Sequence, residues 1–420
     1  MRPPSMLNAT ATNTAAQKAA AEPVIQTAAS RNAAGGKLDI INGLRGAAIL
    51  AVVWHHLFGI YFKEGSALAL APTITRPLFF LSYGWIGVQL FFVLSGFVLY
   101  LPFARGRATM ASAADWRNFY RHRAARLLPL YYLVALLCLA LNQVPPVHDL
   151  RLPLELVSIA GAFFAFSPHG FEPHLNPPLW SLGVEIWFSV LFPPMILAFR
   201  RWGAARTILY ATLLSLASRT LGLTLVPGQT IRPLAMGLTA NLEIFAVGMA
   251  LAQAYVAGVR VRRPRLVTLA GVLVLALTML AGNRLGRWVE VPFADFLALG
   301  FAAIIGGLLS LERGWLRAVF ANRPIQVLGM MCFSLYVWHQ PLLRSLFQDD
   351  AATLDDLSRT LPLYLFLLLA VAALSYRFIE FGRSRDWRAL FLIGTPEPTA
   401  AATPVPAPPA TPVVRDADLR

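Results

Sequence analysis

Charge is scarce in this chain: Asp, Glu, Lys and Arg together make up 14% of its 420 residues. A soluble domain carries about a quarter. With 57% apolar residues and a mean hydropathy of +0.59, that scarcity excludes an ordinary globular enzyme and predicts an all-α, polytopic membrane bundle. Cysteine is nearly absent too. Cys138 and Cys332 both fall within apolar runs, which excludes a disulfide framework, and no His or Cys spacing suggests a zinc site. There is no Walker-type loop and no dinucleotide-binding glycine pattern. The first residues lack the apolar core of a cleavable signal peptide. The charge that is present leans basic, at 36 Lys and Arg against 21 Asp and Glu. It stands in short runs between apolar segments, which argues for membrane orientation and against nucleic acid as a partner.

Composition divides the chain in three. Residues 1–36 are rich in Ala, Thr and Asn and read as a disordered tail. Residues 37–388 form the membrane body, and 389–420, rich in Pro and Ala, form a second extended tail. The body contains apolar runs at about 41–62, 78–103, 127–142, 154–167, 179–199, 207–226, 236–257, 266–281, 293–311, 325–346 and 361–380. If every Arg cluster between them is cytoplasmic, both termini are inside and ten crossings are required. The short run 154–167, bracketed by Pro153 and Pro168, is therefore expected to insert only partly.

Polar residues inside apolar runs mark where function concentrates. Arg45 and His56 lie eleven residues apart in the first run. On a helix this is about three turns and roughly 16 Å, so one face carries a cation near one surface and a base near mid-membrane. Arg123 and Arg126 are spaced i,i+3, and two guanidiniums on one face suit a phosphate, such as that of a coenzyme thioester. Glu185 stands in an apolar run behind Trp180 and Ser181, and is expected to pair with a His or Arg of another helix. Tyr336 and His339 share a face of the tenth predicted span. Glu243, Arg377 and Glu380 are further intrusions, with Glu380 expected to pair with Arg377 or Arg383. A bland reading accompanies each of these: snorkelling, plain positive-inside charge, a structural ion pair, a satisfied core histidine. Gly84, Gly87, Ser95 and Gly96 read as a small-residue packing face.

Four stretches occur in order: LDIINGLRGAAILAVVWHH, FFVLSGFVLY, PPLWSLGVEIWF and FSLYVWHQPLL. Together they resemble the acyltransferase 3 family of integral membrane acyltransferases, which modify bacterial surface sugars and other acceptors. The resemblance covers roughly residues 37–385. Its Arg-x10-His pattern falls on Arg45 and His56 rather than His55, its Arg-x-x-Arg on Arg123 and Arg126, and its Trp-Ser-Leu-x-x-Glu on Trp180, Ser181 and Glu185. Asn42 replaces the usual Asp, and Ile186 stands where many members have a second acidic residue.

The resemblance implies transfer of an acetyl or other acyl group from cytoplasmic acyl-CoA to a carbohydrate or glycolipid hydroxyl outside the bacterial inner membrane. Acyl-CoA is then a donor substrate, and no bound cofactor is implied. Arg123 and Arg126 would hold the donor, Arg45 would line the inner path, and His56 would act as base or carry the acyl group. Glu185 would orient or charge-stabilise the histidine, with Trp180, Ser181, Tyr336 and His339 in support. Proteins of polysaccharide biosynthesis would be partners. The rival from the residues alone is a multi-span transporter or flippase, which also needs ten crossings and interior charge.

Overall fold

Apolar segments in lipid have no water to satisfy their backbone, so they cross as helices. The computed structural model describes residues 38–61, 82–141, 151–168, 170–284, 287–347, 354–382, 384 and 386–393, and every regular element among them is helical. Four helices lead: α1 (Leu38–Tyr61), α2 (Ile86–Ala104), α3 (Ala113–Ala140) and the short α4 (Arg151–Ala160). Next come α5 (Leu179–Thr224), α6 (Arg232–Met236), α7 (Leu242–Val256), α8 (Pro264–Arg284) and α9 (Glu290–Ser310). The last are α10 (Trp315–Ala321), α11 (Arg323–Met330), α12 (Cys332–Leu346), α13 (Leu354–Ser375) and α14 (Trp387–Leu390).

Among the described residues, eight helices are long and apolar enough to cross a membrane. One of these, α5, has 46 residues and breaks its helical backbone at Gly203, where φ is +79°. At about 1.5 Å per residue it would run about 69 Å, more than twice the hydrocarbon thickness of about 30 Å, so its two arms are separate crossings. The run at 325–346 is interrupted at Met331 and becomes α11 and α12. Eight, plus the second arm of α5, plus the α11–α12 pair, gives ten helical segments, the number of crossings expected if every Arg cluster is cytoplasmic.

The run expected to insert only partly is short and sharply turned in the structure. α4 has only 10 residues and ends at Ala160, and two residues further on Ala162, with a left-handed φ of +53°, turns the chain into a 3₁₀ turn over Phe163–Phe166. Backbone freed at such a turn must be satisfied by protein. Tyr131 donates to the Ile159 carbonyl at 2.6 Å, Tyr132 to Ala160 at 2.6 Å, and Trp187 Nε1 to Ala162 at 3.1 Å. Three side chains from α3 and α5 thus cap the carbonyl end of α4.

Two boundaries differ from the sequence expectation. The third run was expected from 127, but α3 begins at Ala113, because Ser112 and Asp115 form a capping box ahead of it. The Arg-rich stretch is therefore helical. At the other end α14 runs past the expected boundary at 388, with Leu390 buried. Residues 1–36 and 394–420 lie outside the described residues.

Glycines set how closely the helices approach. A Cβ on Gly96 of α2 would stand 2.2 Å from the Phe245 carbonyl oxygen, and one on Gly248 of α7 would stand 2.0 Å from that of Val93. A Cβ on Gly84 would stand 2.2 Å from the Ala51 carbonyl oxygen of α1, and one on Gly87 would stand 2.6 Å from that of Ala48. Small faces of this kind let membrane helices pack backbone to backbone.

Candidate active site

The site is built on α1, and close packing sets the rotation of that helix. A Cβ on Gly43 would stand 1.8 Å from the Phe320 carbonyl oxygen, and one on Gly46 would stand 2.1 Å from that of Ile325. Gly329 of α11 meets the Asn42 carbonyl in the same way. The Asn-Gly-Leu-Arg-Gly stretch therefore lets α10 and α11 seat directly on α1. This turns Arg45 into a cavity of about 80 Å³ at the Arg-rich end of the bundle.

Three arginines line that cavity: Arg45 from α1, and Arg123 and Arg126 from α3. Arg123 Nη2 donates to Glu185 Oε1 at 3.0 Å, and its Nε donates to Ser189 Oγ at 3.1 Å. Ser95 Oγ on α2 donates to the same Glu185 oxygen at 3.2 Å. The Arg126 guanidinium lies 5.7 Å from the centre of the Phe381 ring. Arg45 faces the Cys332 thiol, which also lines the cavity. Glu380 adds a second carboxylate within the field of Arg126 and Arg45. Its Oε1 accepts from Ser334 at 2.5 Å, on a π turn over Tyr376–Glu380. Counted as ionised, three guanidiniums outnumber two carboxylates, so the cavity favours an anion.

Hydroxyl and imidazole groups lead onward from this pole. Ser181 Oγ and the Tyr336 hydroxyl are 2.5 Å apart, both line the cavity, and Tyr336 donates to the Pro178 carbonyl at 2.8 Å. The Tyr336 ring centre lies 5.3 Å from that of His339. His339 in turn lies 4.9 Å from His56. Asn176, ahead of α5, ties the frame together by donating to the Val337 carbonyl at 3.0 Å. His55 turns elsewhere, with Nδ1 2.9 Å from the Ser82 carbonyl oxygen.

The expected residues divide into two groups. Arg45, Arg123, Arg126, Ser181, Glu185 and Tyr336 share the cavity, while His56 and His339 adjoin it through Tyr336. The helical spacing of Arg45 and His56 matches their neighbours: both face α12, at Cys332 and His339. Glu185 does not sit with His56. Its partner is Arg123 of α3, which meets the expectation of a His or Arg from another helix. Glu380 does not pair with Arg377, which lies over the Phe378 ring and donates to the Phe381 carbonyl, and Arg383 is outside the described residues. Trp180 packs against Phe92 and Phe171.

Sequence reasoning singled out Glu243 but missed its partners in a second charged centre. Arg219 of α5 donates to Glu243 of α7 at 2.9 Å and to Asp295 of α9 at 2.6 Å, with both Arg219 and Glu243 buried. The signal was present, since Arg219 and Asp295 are charges inside apolar runs. Among the described residues, no group of three or more His, Cys, Asp or Glu is placed to hold a metal.

Residues 38–379 match the family profile described as an acyltransferase domain. The chain belongs to that acyltransferase family. Among curated proteins this family member is similar to the peptidoglycan O-acetyltransferase OatA of Listeria monocytogenes serovar 1/2a (strain ATCC BAA-679 / EGD-e). The two are 24% identical over 364 residues, covering 81% of this chain and 54% of the relative. It is equally similar to the O-acetyltransferase OatA of Staphylococcus aureus (strain NCTC 8325 / PS 47), at 24% over 373 residues, covering 81% and 56%. The acyltransferase chain thus spans about half the length of the curated relatives it matches. No solved structure matches it.

Proposed function

We propose that this chain transfers an acetyl or other acyl group from a cytoplasmic acyl-CoA to a hydroxyl of an extracytoplasmic or lipid-linked carbohydrate. The observation that carries this reading is the convergence of Arg45, Arg123 and Arg126 on one cavity, with Ser181 and Tyr336 at its wall and His56 beyond. Guanidiniums bind phosphate by forked hydrogen bonds, and Arg123 spends only two of its five N–H groups on Glu185 and Ser189. The phosphates of the donor would sit at this Arg-rich pole, on the cytoplasmic side by the distribution of basic loops. Both termini are then cytoplasmic as well, and the protein resides in the inner membrane of a bacterium.

In the transfer, His56 takes the proton of the acceptor hydroxyl, the oxygen attacks the thioester carbon, and the C–S bond breaks with its electron pair on sulfur. The proton ends on the leaving thiolate. General-base help of this kind is typically worth 10²–10⁴-fold. Glu185 acts through Arg123, holding that guanidinium toward the cavity. The acceptor class follows the relatives, two of which carry names of O-acetyltransferases, one of them specifying peptidoglycan.

The test compares envelope glycans of cells with and without the protein by mass spectrometry and NMR. The expected result is a glycan heavier by one acyl group and bearing a new ester only when the protein is present. Identical glycans in both strains would refute the reading.

A further inference from the structure

His339 is buried, stands beside His56, and has no task in the transfer as derived above. Its Nδ1 lies 2.5 Å from the Tyr336 carbonyl oxygen. A carbonyl only accepts, so Nδ1 carries the hydrogen of the neutral ring and Nε2 is left as a bare lone pair. That lone pair has no hydrogen-bond partner among the described residues. A buried acceptor without a partner is costly and calls for an explanation. The ring centres of His339 and His56 are 4.9 Å apart and the rings are tilted by 45°, with no hydrogen bond between them, so a turn of the His56 ring is enough to bring one of its nitrogens to Nε2.

The frame around His339 is fixed from three sides. Its own carbonyl accepts from the Tyr364 hydroxyl at 3.2 Å, Val337 is held by Asn176, and Tyr336 by Ser181 and Pro178. The carboxylate that the family resemblance assigned to orienting the histidine, Glu185, is engaged with Arg123 and Ser95.

We infer that His339 is the positioning residue for His56: when the acceptor hydroxyl engages one ring nitrogen of His56, that ring turns so that its other nitrogen donates to the unpartnered Nε2 of His339. The inference rests on the reading of His56 as general base. During transfer the His56–His339 hydrogen stays in place. The acceptor proton goes to the free nitrogen of His56 as the O–C bond forms, and it leaves for the thiolate after the C–S bond breaks. The same arrangement explains why the adjacent histidine is not equivalent, since His55 spends Nδ1 on the Ser82 carbonyl.

The test uses the full chain in producing cells, reading alkali-labile acetate on envelope glycans, together with protection of Cys332 from a maleimide by coenzyme A in isolated membranes. Four variants are compared: His339→Gln, which sets an amide where Nε2 stands; His339→Asn, whose amide falls short; His339→Phe; and His56→Ala. Phe and Asn should lower ester about 10²-fold, the lower bound for general-base help. Gln should stay within about tenfold of wild type, and protection of Cys332 should be unchanged throughout. The inference is overturned if His339→Phe keeps wild-type ester, or if Gln and Asn are equally inactive at normal protein level. If His56→Ala keeps wild-type ester, the base reading itself fails. A dead His56→Ala beside an active His339→Phe removes only the positioning role.

Discussion

Arg123 and Glu185 close a 3.0 Å ion pair on the wall of the cavity, and each is largely shielded from solvent. The pair decides what the site presents to a ligand, because a guanidinium held by one carboxylate still has N–H groups to offer. Removing Glu185 leaves a cation of low exposure uncompensated. Breaking a fully buried pair costs about 3–5 kcal/mol and an exposed one about 0–1, so Glu185→Gln should cost about 2 kcal/mol of stability. The charge swap Arg123→Glu with Glu185→Arg should recover most of that loss in thermal melts in detergent. It should not recover coenzyme A binding, since the guanidinium then points from α5. Recovery of both would show that the position of the charge is unimportant.

Cys332 offers a direct view of cavity occupancy. It lines the cavity beside Arg45, whereas Cys138, as buried as Cys332, does not line it. In a Cys138→Ser background only one thiol remains to react. Coenzyme A at ten times its Kd should slow alkylation of Cys332 by a small maleimide about tenfold, by mass action. An unchanged rate in intact-protein mass spectra would place the donor elsewhere.

The second charged centre is a structural prediction. Arg219 joins α5, α7 and α9 through Glu243 and Asp295, and Arg219→Met would leave two carboxylates facing each other in the bundle. The expected cost is about 3–5 kcal/mol. Adding Glu243→Gln and Asp295→Asn should restore much of it, because the pair is then replaced by neutral groups of similar shape. Thermal melts of the single and triple variants check this, and equal melts would mean that the triad holds nothing.

Glycine substitutions separate close packing from mere helix propensity. Gly43→Ala places a methyl group 1.8 Å from the Phe320 carbonyl oxygen and should cost about 1–3 kcal/mol. Gly306→Ala meets nothing within 4 Å and should be neutral or stabilising by up to about 1 kcal/mol. Gly43→Ala should also lower acyl transfer, since α10 and α11 can no longer seat on α1 and aim Arg45. Equal effects of the two would remove the packing account.

The crossings were legible in the sequence because apolar runs and Arg clusters follow directly from lipid and orientation physics. So was the shared face of Arg45 and His56, which needs only the helical period. Long-range pairing was not legible. Nothing local says that Glu185 meets Arg123 rather than His56, because the choice depends on how α3 passes α5. Likewise Arg219, Glu243 and Asp295 stand on three separate helices, and each alone looks like a stray charge. The π turn that sets Glu380 on Ser334 is also a tertiary outcome, hidden by the neighbouring arginines that seemed sufficient partners.

The central claim is that an acyl group entering at the arginines is delivered under control of His56. It is tested most directly in inverted membrane vesicles, with the cytoplasmic face outward, supplied with isotopically labelled acetyl-CoA. Labelled ester on the enclosed glycan should form with the wild-type chain, persist in good part with His55→Ala, and vanish with His56→Ala at equal protein level. Wild-type labelling by His56→Ala would contradict the account.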